Sequence, residues 1–488
     1  MITDELVFSV SRQFGHEPTA DQQKALETFA AFMFDRDEQV VMLLRGSAGT
    51  GKTSLASAIV RTLTMLKQKL VLMAPTGRAA KIFSLNSGCK AFTIHRRIYR
   101  ERSYSGLYGS FVLNNNLNTD TLFMVDEASM IASGQGGESG GNFGSGSLLH
   151  DLISFVYSGR DCYLMLIGDK AQLPPVGETE SHALSRQQLQ SMGLKVYECD
   201  LNEVVRQDRE SGILFNATMI RGRLDALTAD NSVCLSLPKI HFKQFADVRN
   251  VSGNELIEAL SGSYTEVGVD ETMVITRSNK RANIYNQGIR NMILDCEDQL
   301  STGDMVMVVK NKYIEETPRS SDDRQLGFIA NGDRARVRRV RNIRELYGFH
   351  FADVTLQFPD YDLLEMDQTV ILEALTTEAP ALSQEQSELL FQRVMEDYAD
   401  VPLKRDRMAK LKQDDYFNAL QIKFAYAITC HKAQGGQWAH IYLDQGYMTE
   451  DMLTPDYIHW LYTAVTRATE KLYLVNWPKS QTADSEED

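Results

Sequence analysis

The chain has 488 residues, 43% hydrophobic and 24% charged, with a net charge of −14. That length is too great for one hydrophobic core and predicts two to four domains. No apolar run reaches the length of a membrane span, MITDELVFSV lacks the pattern of a signal peptide, and six scattered cysteines without a CxxC pair fit reduced thiols in a cytoplasm, not a disulfide frame or zinc site.

In chain order, VVMLL (40–44) reads as a strand that runs into Gly46, Ser47, Ala48, Gly49, Thr50, Gly51, Lys52 and Thr53, followed by a helical SLASAIVRTLTML. This is GxxxxGKT in its required strand–loop–helix setting. The glycines let backbone amides turn onto phosphates, and the helix N-terminus adds a favourable dipole. Lys52 neutralises β/γ charge, and Thr53 offers its hydroxyl to Mg2+. A second strand, KLVLM (69–73), leads into APTGRAA. From 96 to 120, the alternation around SGLYGS reads as a hairpin. LFMV (122–125) ends in Asp126 and Glu127. Carboxylates past the end of a buried strand sit beside the phosphates in a doubly wound sheet. Asp126 then holds Mg2+ through water, and Glu127 positions and deprotonates the attacking water. With the P-loop, this pair reads as a hydrolase. SGQGGESGGNFGSGS (133–147) reads as a mobile loop without chemistry. YLMLI (163–167) is a further strand before GDKAQLPPVG.

The negative total charge argues against a nucleic-acid partner only on average. Residues 76–102 hold Arg78, Lys81, Lys90, Arg96, Arg97, Arg100 and Arg102 against Glu101 alone, and RARVRRVRNIR (334–344) has six arginines and no acid. Residues 359–400 invert this, with eleven acids against Arg393. Each basic stretch is either a solvated face paired with nearby acids or a phosphate track. GDMVMVVKN (303–311) and GFIANGDRARVRRV (327–340) read as strands, SELLFQRVMEDY as a helix, and TADSEED as a disordered acidic tail.

The segments APTGRAA (74–80), GDKAQLPPVG (168–177), TCHKAQGG (429–436) and LYTAVTRA (461–468), in this order, resemble motifs Ia, III, V and VI of superfamily 1 helicases. GDKAQLPPVG and TCHKAQGG are similar to the 5′-to-3′ branch that includes RecD and Dda. The resemblance covers about residues 18–478. It implies an α/β fold with two RecA-like P-loop NTPase core domains, a small hairpin insert in the first, and an SH3-like β-barrel plus helical arm inserted in the second. The implied boundaries are 1–200 for the first core domain with its hairpin insert, 201–330 and 421–478 for the second, 331–420 for the inserted unit, and 479–488 for the tail.

The resemblance also assigns residues. Gln22 resembles the glutamine that reads adenine, Gln172 the one that senses the γ-phosphate, and Gly435 a nucleotide neighbour. Arg206 and Arg467 resemble arginines that reach the γ-phosphate from the second core. Pro75, Thr76, Arg78, Thr93 and His95 resemble strand contacts of the first core, and Thr276, Asn283, Thr429, His431 and Lys432 those of the second. Pro174 resembles the residue that abuts a base. Leu107 or Tyr108, at the hairpin tip, is either a duplex-splitting wedge or part of a solvated loop. Gln437 stands where a glutamate commonly meets the ribose.

The implied activity is that of an ATP-dependent DNA helicase that translocates 5′ to 3′ on single-stranded DNA and unwinds duplex, with ATP and Mg2+ as cofactors. The alternative is a DNA translocase that displaces proteins and separates strands poorly. The expected partners are single-stranded and forked DNA, with no membrane, for a cytoplasmic protein that is monomeric on DNA.

Overall fold

The computed structural model describes residues 2–37, 39–105, 108–134, 142–203, 211–229, 236–313 and 328–483. Strands of the first lobe are β1 (Val40–Gly46), β2 (Lys69–Ala74), β3 (Ala91–Thr93), β4 (Tyr99–Ser105), β5 (Tyr108–Leu113), β6 (Thr119–Val125), β7 (Asn142–Phe143), β8 (Arg160–Gly168) and β9 (Lys195–Leu201). Its main sheet has the order β3-β2-β6-β8-β1-β9, and every pairing is parallel. VVMLL is buried without alternation, as a strand covered by helices on both faces must be. The helix Lys52–Met65 carries the chain from β1 to β2. Because β6, β8 and β1 are adjacent and parallel, the residues that follow them emerge at one edge. The P-loop, Asp126 and the 168–177 loop therefore share that edge.

The expected hairpin forms: β4 and β5 pair antiparallel, with Ser105 opposite Tyr108. Leu107 and the side chain of Tyr108 lie outside the described residues. The glycine-rich stretch is not free throughout. Asn142 and Phe143 pair with β5, and the Ser133 and Gly134 amides donate to Glu178 Oε1 at 2.6 and 3.0 Å. Low complexity did not prevent backbone pairing at its ends, because such pairing needs no particular side chain.

The second lobe begins with β10 (Val248–Val251) and β11 (Thr272–Thr276). An inserted unit follows with β12 (Met305–Val308), β13 (Lys312–Tyr313), β14 (Phe328–Ile329), β15 (Arg334–Leu346), β16 (Phe349–Phe358), β17 (Leu364–Ile371) and β18 (Leu420–Phe424). The lobe resumes with β19 (Ala427–Thr429), β20 (Trp438–Asp444) and β21 (Ala468–Val475). Its parallel sheet runs β10-β21-β20-β11-β19. The insert closes as a barrel, β12-β15-β16-β17-β18, so strands on both sides of the 331–420 boundaries complete it. Helices Gln384–Asp397 and Lys404–Gln413 form the arm and share a small core of Leu390, Val394 and Leu411 with Phe349 and Phe351 of the barrel.

Barrel and lobe are fastened by a buried ion pair. Arg290 donates to both Asp304 oxygens at 2.9 and 3.0 Å, Tyr426 donates to Asp304 at 2.9 Å, and the guanidinium lies 4.2 Å from the Phe424 ring centroid. Both charges are almost fully buried, so each depends on the other to offset its lost hydration.

Candidate nucleotide and strand site between the lobes

The P-loop is built around close approach. A Cβ on Gly46 would come within 2.7 Å of Thr50 Oγ1 and 2.9 Å of Leu201. Gly49 and Gly51 have φ of +81° and +83°, a region that side chains disfavour. Lys52 Nζ donates to the carbonyls of Gly46 and Ser47 at 2.7 and 2.8 Å. Gln22 is buried behind the loop. Its carbonyl oxygen accepts from Thr19 N in a capping box, and its Nε2 donates to the Thr50 carbonyl at 3.0 Å. The glutamine thus ties the helix Ala20–Phe34 to the phosphate cradle.

Asp126 follows β6, and its amide donates to Met73 O at 3.0 Å. The amide of Glu127 donates to Asp126 Oδ1 at 2.9 Å, with Glu127 itself at φ +53°. Burial first, then the neighbouring Glu127 charge, raise the Asp126 carboxyl above the usual range, and the Lys52 ammonium opposes them. One field therefore joins the lysine and the two carboxylates. A cradle of inward-turned amides, one ammonium, the Thr53 hydroxyl and a buried carboxylate suits a triphosphate with Mg2+.

The second lobe closes on this edge. Gln172, in the amide orientation that satisfies both neighbours, donates to Glu127 Oε2 at 3.2 Å and accepts from Arg467 Nη2 at 3.2 Å. Arg467 is 3% exposed and also donates to the carbonyls of Thr463 and Gly436 at 3.0 and 3.2 Å. The Leu173 amide donates to Thr463 Oγ1 at 2.8 Å, and Gln434 Nε2 donates to Leu173 O at 2.6 Å. Tyr462 donates to Asp169 Oδ2 at 2.6 Å and accepts from the Ala48 amide at 3.1 Å. Arg206 lies outside the described residues.

The expected strand contacts divide. Thr76 and Thr93 cap helices, accepting from Ala79 N at 3.2 Å and Arg96 N at 3.3 Å. Thr276 is fully buried and gives its hydroxyl to the Ser278 carbonyl at 3.1 Å. Asn283 donates to the carbonyl of Thr377 at 2.9 Å and serves the insert. Pro174 is buried, and Val176, 71% exposed, is the apolar surface of that loop. Arg78 stacks on Trp438 at 4.4 Å, donates to the Gln437 carbonyl and lies 4.0 Å from Asp360. Arg334 lies 5.8 Å from the Trp438 ring, so one indole joins both lobes and the barrel. Gly435, expected beside the nucleotide, packs against Ala79 and Thr76, which a Cβ would approach to 3.0 and 3.2 Å.

Other positions remain accessible. Pro75 and Thr429 are half-buried and His431 is exposed. Burial pushes the Lys432 ammonium down to about 8 and holds His95, tilted beside Tyr99 with centroids 5.7 Å apart, at about 4. Lys90, Arg96 and Arg97 place their charges 5.8, 5.8 and 5.9 Å from the ring centroid of Phe92. This aromatic, inside the basic stretch and close before His95, has the composition of a single-strand platform; sequence reading passed over it because one phenylalanine in a short strand looks like core. Asp169, Gln434, Tyr462 and Thr463 were also passed over. They lie inside the quoted segments, but nothing in their spacing pairs Asp169 with Tyr462, 293 residues away.

The fold and this cleft define a P-loop NTPase with two RecA-like lobes. Residues 17–232 match the AAA domain family, and residues 424–475 match the UvrD-like helicase C-terminal domain family. The two matches fall in the order that the helicase resemblance of the sequence motifs implies, the first over the P-loop lobe and the second over the lobe that carries Arg467.

An uncharacterised protein of Methanocaldococcus jannaschii is 22% identical over 93% of this chain and 38% of its own length. One of Acanthamoeba polyphaga mimivirus is 21% identical over 92% and 98%. The ATP-dependent RecD2 DNA helicase of Deinococcus radiodurans is 30% identical over 28% of this chain and 16% of its own. The chain thus spans about two fifths of the archaeal relative and one sixth of the Deinococcus protein. Among solved structures, the Pif1 helicase of Candida albicans aligns at 15% identity over 96% of this chain and 97% of that chain, with a TM-score of 0.43. Bacteroides Pif1 bound to single-stranded DNA aligns at 14% over 96% and 94%, with a TM-score of 0.45. No helix among the described residues is long and apolar enough to cross a membrane.

Proposed function

We propose that the chain is an ATP-dependent DNA helicase that moves along single-stranded DNA 5′ to 3′ and separates duplex ahead of it, working as a monomer in the cytoplasm. The observation that carries this reading is the chain Glu127–Gln172–Arg467, which joins the hydrolytic carboxylate of one lobe to a guanidinium of the other. Hydrolysis in such a cleft is felt by both lobes at once. The P-loop amides and Lys52 bind the phosphates, and Gln22 braces the loop on the adenine side. Thr53 and Asp126 hold Mg2+, which neutralises charge on the transferred phosphoryl group when bound. Glu127 orients the attacking water and takes its proton. Arg467, with Arg206, stabilises charge that develops on the equatorial oxygens.

The strand lies across Pro75 and the Phe92 cluster on one lobe, and Thr429, His431 and Lys432 on the other. Tyr108 stands at the hairpin turn, in the place of a wedge. Polarity follows the RecD-like branch. The test is unwinding of partial duplexes tailed at one end only, with and without ATP. Separation of the 5′-tailed substrate alone is expected; strand-stimulated hydrolysis with neither substrate opened would favour a protein-displacing translocase.

A further inference from the structure

We infer that Tyr462 is a positioning residue that couples the state of the P-loop to the second lobe, an inference that rests on the proposed ATPase motor. The phenol sits on the helix Pro455–Val465 of the second lobe, 1% exposed, yet both its hydrogen bonds reach the first lobe. It accepts from the amide of Ala48, inside the phosphate cradle, at 3.1 Å. It donates to Asp169 Oδ2 at 2.6 Å. Asp169 in turn shapes the loop that bears Gln172: its Oδ1 accepts from the Ala171 amide at 2.9 Å, and its carbonyl accepts from the Gln172 amide at 3.3 Å. The hydroxyl therefore links three parts that must move in register: the cradle, the loop that touches Glu127, and the helix that leads into Arg467.

A hydroxyl can play this part because it donates and accepts at one atom. Lobe opening breaks both bonds together and hands the carboxylate oxygen and the cradle amide to water. A change at Ala48 when phosphates enter alters what the second lobe can hold. Phenylalanine keeps the ring and its packing and removes only this connection.

The experiment compares the full chain with Tyr462→Phe and Tyr462→Leu. The first readout is the distance between fluorophores on the two lobes, without DNA, with ADP or a non-hydrolysable ATP analogue. The nucleotide-dependent change in distance should shrink to less than about half in Tyr462→Phe while analogue affinity stays within about threefold. The second is strand-stimulated hydrolysis, in which kcat should fall about tenfold with KM for ATP nearly unchanged. The melting temperature of Tyr462→Phe should fall by less than that of Tyr462→Leu, which loses the ring packing as well as the two hydrogen bonds. Wild-type lobe movement in Tyr462→Phe overturns the coupling, as does loss of movement only in proportion to unfolded protein. Absence of strand-stimulated hydrolysis in the unaltered chain would instead sink the motor reading, and the distance measurement would still decide the role of Tyr462.

Discussion

The two arginine-rich stretches look alike in sequence and differ in space. Around Phe92, Lys90, Arg96 and Arg97 converge on one ring, and Arg96 and Lys90 are exposed. Along β15, Arg336 bonds Asp270 at 2.5 Å, Arg338 meets Glu365 at 3.4 Å, Arg341 meets Asp367 at 3.4 Å, and Arg344 grips Asp353 at 2.8 Å. Glu365 and Asp367 belong to the acidic stretch that begins at 359, so salt bridging accounts for much of the second patch. Pairing of this kind leaves little net charge for phosphates, whereas cations gathered on an aromatic face keep theirs.

The largest break in this contrast is expected from replacing Lys90, Arg96 and Arg97 together with alanine. Affinity for single-stranded DNA should fall on the order of a hundredfold at low salt, and the slope of log K against log salt should lose about 2, from about 0.7 for each phosphate no longer neutralised. Fluorescence anisotropy across a salt series measures both. Phe92→Ala comes next, with a loss of about tenfold if a base stacks there. Because the cations remain, the salt slope should stay the same, and the same titration separates stacking from charge.

Asp333 sharpens the other side of the comparison, since it immediately precedes the second stretch. Burial pushes its carboxyl up to about 7, against the Ala330 amide and the Tyr361 hydroxyl that donate to it. The folded value lies above that of the unfolded chain, so the fold takes up a proton as pH falls from about 7 to about 4. Its contribution is therefore greatest at the acid end of that window and declines as pH rises through it, by on the order of 4 kcal/mol. Asp333→Asn should flatten urea-denaturation midpoints across this range. The smallest effect belongs to Arg338→Ala with Arg341→Ala. Both pairs are about half-exposed, so stability should change by less than about 0.5 kcal/mol and strand affinity by less than about twofold. A larger drop in affinity would mean that β15 tracks phosphates after all.

The cradle was legible in sequence because it is local. A strand, a glycine loop and a helix place Lys52 and Thr53 through backbone geometry alone, and Asp126 and Glu127 follow a buried strand in the same sheet. The strand contacts were less so. Thr276 and Thr93 carry hydroxyls that look available in a string of letters, but one is buried on Ser278 O and the other caps a helix. Pro174 sits under the loop that exposes Val176. The Trp438 indole between Arg78 and Arg334 could not be read from spacing, since it and its two partners come from three separate units.

By itself, the sequence determined the local chemistry of the phosphate loop, the alternation of strands and helices, and the hairpin, because each depends on neighbours within a few residues. Only the tertiary structure decided which charges cancel, which hydroxyls are spent, and that Asp169, Ala48 and Tyr462 meet at one oxygen. Those outcomes depend on contacts hundreds of residues apart, where burial and pairing, not residue type, set the energy of a polar group.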